Sequence, residues 1–113
     1  MKIFPRKEKK TLGAFYFGEF DETPLAPFSI SIATFNSGFS GEPKHYHKIN
    51  QKVFITLNGK GVLNVNGERV DLVPEQMVQI EPNDVHFVEK VIDAPLQIVV
   101  VLSSKTNDKV VVE

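Results

Sequence analysis

The chain has 113 residues, 42 % of them hydrophobic and 24 % charged, with a formal charge of −1 and no cysteine. That length predicts one domain over residues 1–113, since independent domains commonly run to about 100–150 residues. The near-neutral balance argues against a nucleic-acid partner, and the lack of cysteine removes disulfides and thiolate chemistry.

Residues 1–20 carry Pro5 and the short basic cluster Arg6-Lys7-Glu8-Lys9-Lys10, broken by Glu8. The cluster reads as a solvated segment, and the stretch lacks the apolar core of a signal peptide. No run approaches the ~20 apolar residues of a membrane helix. We therefore expect a cytoplasmic protein with no membrane partner, a setting that the absence of cysteine also suits.

From there the chain reads as strands and turns. Residues 11–17 are a first strand candidate, and residues 28–33 alternate apolar with small polar side chains, the pattern of a half-buried strand. Residues 36–44, with Gly38, Gly41 and Pro43, form a loop of the kind that carries function on a rigid sheet. Further strands are expected at residues 53–57, 62–65, 70–73, 77–80, 85–91, 96–102 and 110–112. Asn58-Gly59 and Asn66-Gly67 are dipeptides that accept the positive φ angles of type I′ hairpin turns. Turn signals recur every ~8–12 residues, the spacing of a sandwich or small barrel. No helical periodicity is sustained. The fold class is all-β, closed or two-layered, because so many short strands would otherwise expose their edges.

All three histidines fall in suggestive places. His45 and His47 are two apart, so in a strand they share a face, and His86 stands at the mouth of a later strand. Continuing the register puts Ile49, Gln51, Val53, Ile55 and Leu57 on that same face and Lys52 on the other. Imidazoles aimed into an apolar interior need partners. A divalent transition metal would supply one to each. The other reading is a metal-free pocket, in which the imidazoles bond one another or a ligand.

The order Gly41, His45-Tyr46-His47, a strand, Gly59, then Pro82-Asn83-Asp84-Val85-His86 resembles the two motifs of the cupin family. Asn83 stands where the family has glycine, a sensible exchange because Asn tolerates left-handed backbone. The resemblance spans residues 28–102 and implies a single cupin-type antiparallel β-barrel, jelly-roll-like, also described as a double-stranded β-helix. It implies one divalent transition metal (Fe, Ni, Zn, Cu or Mn) on His45, His47 and His86. It also implies a small-molecule ligand and a homodimer, in which residues 1–20 could be exchanged.

The family's metal-binding glutamate is missing. Its place falls on Gln51 or on Lys52, depending on the count; strand parity favours Gln51 inward, where its amide oxygen could act as a fourth ligand. Lys52 as a pocket cation, Phe54 and Phe35 are candidate substrate contacts, with Phe87 a further aromatic near the site. Asp84 and Glu89 flank His86 and could orient it. Three functions fit these features: a metal-dependent oxygenase or isomerase of a small polar metabolite, a non-catalytic ligand-binding or sensing module, and a metal-free isomerase resembling those of sugar nucleotides. No catalytic base can be assigned from the sequence.

Overall fold

The computed structural model describes residues 1, 3–20 and 27–112. The described residues form strands and no helix: β1 Arg6–Leu12, β2 Phe15–Phe20, β3 Ser29–Phe35, β4 His45–His47, β5 Lys52–Val65, β6 Glu68–Leu72, β7 Met77–Ile80, β8 His86–Leu102 and β9 Lys109–Val111. Every pairing is antiparallel.

Two long strands organise the barrel. The start of β5 pairs with the end of β8 and with β7, giving a layer ordered β7-β5-β8-β3-β2-β1. The end of β5 pairs with the start of β8 and with β6, giving a second layer ordered β6-β5-β8-β4-β9. Between the layers lies an apolar core in which Leu63, Val88, Leu96 and Ile98 are fully buried. Inward residues alternate along β3 as Ser31, Ala33 and Phe35, and along β8 as Leu96, Ile98 and Val100.

Several turn signals act as expected. Asn66 (φ 51°) and Gly67 (φ 87°) close the β5–β6 hairpin in the left-handed region, and Asn83 adopts φ 72° where the resemblance calls for glycine. Residues 36–44 contain no strand.

Other expectations need correction. The candidate strand at residues 11–17 straddles the β1–β2 turn at Gly13 and Ala14, so the N-terminus holds two strands rather than one. Asn58-Gly59 is not a hairpin turn. It lies inside β5, at an irregularity in the pairing with β8. Gly59 takes φ 78° there, and a Cβ would collide with the carbonyl oxygens of Asp93 and Pro95. The glycine is needed because β8 crosses directly above it. The expected strands at 53–57 and 62–65 are thereby one element, as are those at 85–91 and 96–102.

Candidate functional site

The site is built where β4, β5, β8 and the segment before β9 meet. His45 pairs across the strands with His86, and His47 faces the interior beside them; all three are buried. Each ring is oriented through Nδ1. His45 Nδ1 donates to the Pro43 carbonyl at 2.9 Å and His86 Nδ1 to the Asp84 carbonyl at 2.8 Å. His47 Nδ1 donates to Asp108 Oδ1 at 2.8 Å. A carbonyl oxygen can only accept, so the Nδ1 proton is fixed and each neutral ring keeps its lone pair on Nε2. One ring nitrogen from each histidine lies within 4.8 Å of those of the other two.

Lys52 occupies the centre of this group. Its Nζ donates to His45 Nε2 at 3.2 Å and to His86 Nε2 at 3.1 Å, and the side chain is buried. His47 Nε2 is also buried but has no hydrogen-bond partner. The expected register is therefore reversed: Lys52, Phe54 and Thr56 point inward, while Gln51 is exposed and its amide donates to Glu81. Gln51 is in no position to act as the fourth ligand. The parity changes because the strand stops at His47 and resumes at Lys52.

Asn50 makes that interruption. It is 1 % exposed, and its Nδ2 donates to Thr106 O and Asp108 Oδ1 while its Oδ1 accepts from Ser103 and Ser104. Asp108 also receives the backbone N–H groups of Ile49 and Asn50. Burial alone would raise the Asp108 pKa, but these hydrogen bonds outweigh it and hold the carboxyl well below the usual range. The partners of Asn50 and His47 thus come from a segment 103–108 that no local pattern connects to the histidines.

The charges follow from burial. Desolvation lowers Lys52 to about 8, with Glu42 opposing. Burial and then the Lys52 charge bring His45 down to about 3 and His86 to about 4. His47 is lowered by burial, while its bond to Asp108 works the other way. At neutral pH the cluster is one ammonium among neutral imidazoles.

A cavity of about 460 Å³ opens beside this cluster. Its inner wall includes His45, His47 and Lys52 with Phe35 and Phe54, and its mouth includes Lys105 and Lys109. Phe35 and Phe54 both line the cavity. Phe87 does not line the cavity; its ring faces Lys44 Nζ at 5.5 Å. The Asp84 carboxylate caps the backbone of Glu81, so that residue orients His86 through its carbonyl alone. Glu89 pairs with Arg69 instead.

Three Nε2 lone pairs converging, with each Nδ1 held by an acceptor, is the arrangement that metal-binding histidines show. The protonated Lys52 does not suit a divalent ion, because it takes two of those lone pairs and repels a second cation. The residues fit a metal only with Lys52 uncharged. In that state His45, His47 and His86 would hold the ion, which would supply Lewis-acid chemistry.

Comparison with known proteins agrees with this architecture. Solved structures of similar shape include KdgF from Halomonas sp. (TM-score 0.79, 14 % identity, 96 % of this chain and 97 % of that one). Streptomyces Pac13, described as a nucleoside dehydratase, superposes with TM-score 0.78 at 12 % identity over 100 % of this chain and 92 % of its own. The Staphylococcus aureus capsular polysaccharide assembling protein CapF gives TM-score 0.78 at 19 % identity; it covers 98 % of this chain, which spans only 32 % of CapF. No curated protein matches in sequence. No described helix is long and apolar enough to cross a membrane. The cupin domain family (Cupin_2) matches residues 31–102, and the chain belongs to the cupin family.

Proposed function

We propose that this cupin binds a small, negatively charged polar metabolite in its cavity and uses Lys52 where the family resemblance implies a metal. The observation that carries the reading is Lys52 Nζ, buried and hydrogen-bonded between His45 Nε2 and His86 Nε2. A buried ammonium attracts a carboxylate or phosphate strongly, because water screens it little. Lys105 and Lys109 at the mouth add to the attraction. Pac13 structures with uridine bound support the idea that a barrel of this shape accepts a small polar metabolite.

In its catalytic form the reading is metal-free proton transfer next to a carbonyl. Lys52 would stabilise charge developing on the substrate oxygen. His47, oriented by Asp108 and holding the one unpartnered Nε2, would take the proton. The same pocket without turnover is a ligand-binding module. We place its action in the cytoplasm.

The unpartnered His47 Nε2 favours a second reading, a divalent transition metal on the three histidines with Lys52 discharged. Elemental analysis of protein purified without a histidine tag or chelators separates the two. Our reading expects substoichiometric metal in the native chain and metal gained in Lys52→Glu. It also expects thermal stabilisation by small carboxylates or nucleoside monophosphates that Lys52→Met loses. Stoichiometric metal in the native chain, absent from His86→Ala, would establish the second reading instead.

A further inference from the structure

The polar groups deep in the cavity are largely spent on one another. His45 uses both ring nitrogens, on Pro43 and on Lys52. Asp108 accepts from His47, from the Asn50 side chain and from two backbone N–H groups. Ser104 donates its hydroxyl to Asn50 and receives the Thr106 N–H on the same oxygen. Glu42 Oε1 accepts the Val88 N–H. Lys105, Thr106, Asn107 and Lys109 are exposed and stand in water at the mouth. An ammonium has three N–H donors, and Lys52 gives two of them to the histidines. The centre of the cluster therefore offers a ligand one strong cationic donor, beside the single unpartnered acceptor of His47.

The sheet wall of the cavity has a different character. Register partners across β3, β8 and β5 set its inward residues in rows. The first row is Ser29, Leu102 and Lys52, and the second is Ser31, Val100 and Phe54. Beyond them Ala33 stands beside Ile98, and Phe35 comes next with the Phe15 ring at 5.0 Å. Successive rows are two residues apart, or ~7 Å. The wall thus runs from one cation into apolar and aromatic side chains. Among the described residues its only hydroxyls are those of Ser29 and Ser31, and Ser31 donates to the Val100 carbonyl. The Phe54 ring marks the boundary, with Lys52 Nζ 5.0 Å from its centroid.

We propose that the ligand is a carboxylic acid with an apolar body, aromatic or branched, rather than a sugar acid or a nucleotide. This narrows the proposed function and rests on the binding of an anion at Lys52. The polarity of such a ligand is concentrated at one end, where the cavity has its one strong donor. Its body lies along the rows of Val100, Phe54, Ala33 and Ile98, where it loses no hydrogen bond to water and removes apolar surface from it. A hydroxyl on the same body would give up water for a wall whose polar groups are already engaged. Each hydroxyl left unpaired there weakens binding by about tenfold. A sugar acid carries several of them, and His47 Nε2 can receive one.

Isothermal titration calorimetry with three probes tests it on the native chain. 3-Phenylpropionate has the charge and the apolar body, glucuronate the charge and a hydroxylated body, and 3-phenylpropan-1-ol the body without the charge. 3-Phenylpropionate should bind at least about tenfold more tightly than either of the others. Glucuronate binding as tightly or more tightly overturns the proposal and leaves an anion at Lys52 standing. The alcohol binding as tightly as the acid removes the anion reading, and the proposal falls with it. No binding by any probe up to millimolar concentration overturns both. Val100→Thr puts a hydroxyl on the wall at nearly constant volume and should weaken 3-phenylpropionate by about threefold to tenfold, with little change for glucuronate. Circular dichroism checks that this variant folds; if it folds and keeps the native ratio of affinities, the body lies elsewhere and the proposal is wrong. The three probes on the native chain decide the matter even where the variant does not fold.

Discussion

Replacement of Lys52 by methionine keeps the aliphatic stem and removes the ammonium, and its effect on stability should depend on pH in a calculable way. Lys52 has a pKa of about 8 in the folded chain, against 10.5 in the unfolded one. The gap corresponds to about 3 kcal/mol of strain from the buried charge. Between pH 8 and 10.5 the unfolded chain binds more protons than the native one, so the native chain gains stability as pH rises through that window. Below it the full penalty is present. Methionine carries no such penalty but leaves His45 Nε2 and His86 Nε2 without a donor, at about 1–3 kcal/mol each. Near pH 7 these effects largely offset each other, and the two proteins should differ little. At pH 10 the native chain has lost most of the penalty and kept both hydrogen bonds, so its advantage over the variant should grow by about 2–3 kcal/mol. Urea unfolding of both proteins at pH 7 and pH 10 measures this directly, since every other titration cancels in the comparison. An advantage unchanged between the two pH values would show that Lys52 is not a buried cation.

Acid should act through the histidines. His45 and His86 protonate at 6.5 when unfolded but only near 3 and 4 when folded, so the unfolded chain binds more protons below pH 6.5 and stability falls with acid. The loss approaches about 3 kcal/mol per pH unit for the pair, with His47 adding to it; urea midpoints from pH 7 to 4.5 should show it, and His86→Gln should make the slope clearly shallower. Asn50→Ala should cost about 2–4 kcal/mol, because it strips partners from Asp108, Ser103 and Ser104 in a buried network. A loss below ~1 kcal/mol by chemical denaturation would mean that the 103–108 segment is held by other contacts.

Much of the barrel was legible because its signals are local. Asn66-Gly67 and Asn83 need backbone angles that few residues accept, and alternation along residues 28–33 marks a strand, although its inward side is the small one: Ser31 and Ala33 are buried while Ile30 and Ile32 are less so. The three histidines were legible as a group for the same reason. The identity of the inward residue after them was not. Parity holds only along an unbroken strand, and the break at Asn50 is imposed by Thr106, Asp108, Ser103 and Ser104, more than fifty positions away. Asn58-Gly59 misled in the opposite sense: it has the composition of a hairpin turn, but here the glycine makes room for the carbonyls of β8. Asp108 offered no signal, since Thr-Asn-Asp-Lys reads as an ordinary polar loop until the fold sets it against His47.

Lys52 also bears on how such a pocket could change over generations. Lysine codons differ from glutamate codons by a single transition at the first base. If the metal-binding glutamate that the family resemblance implies stands at the inward position of Lys52, then under the proposed function one nucleotide exchanges a site that recruits its cation from solution for one that encodes it. The histidines, their carbonyl anchors and the barrel around them need not change at all.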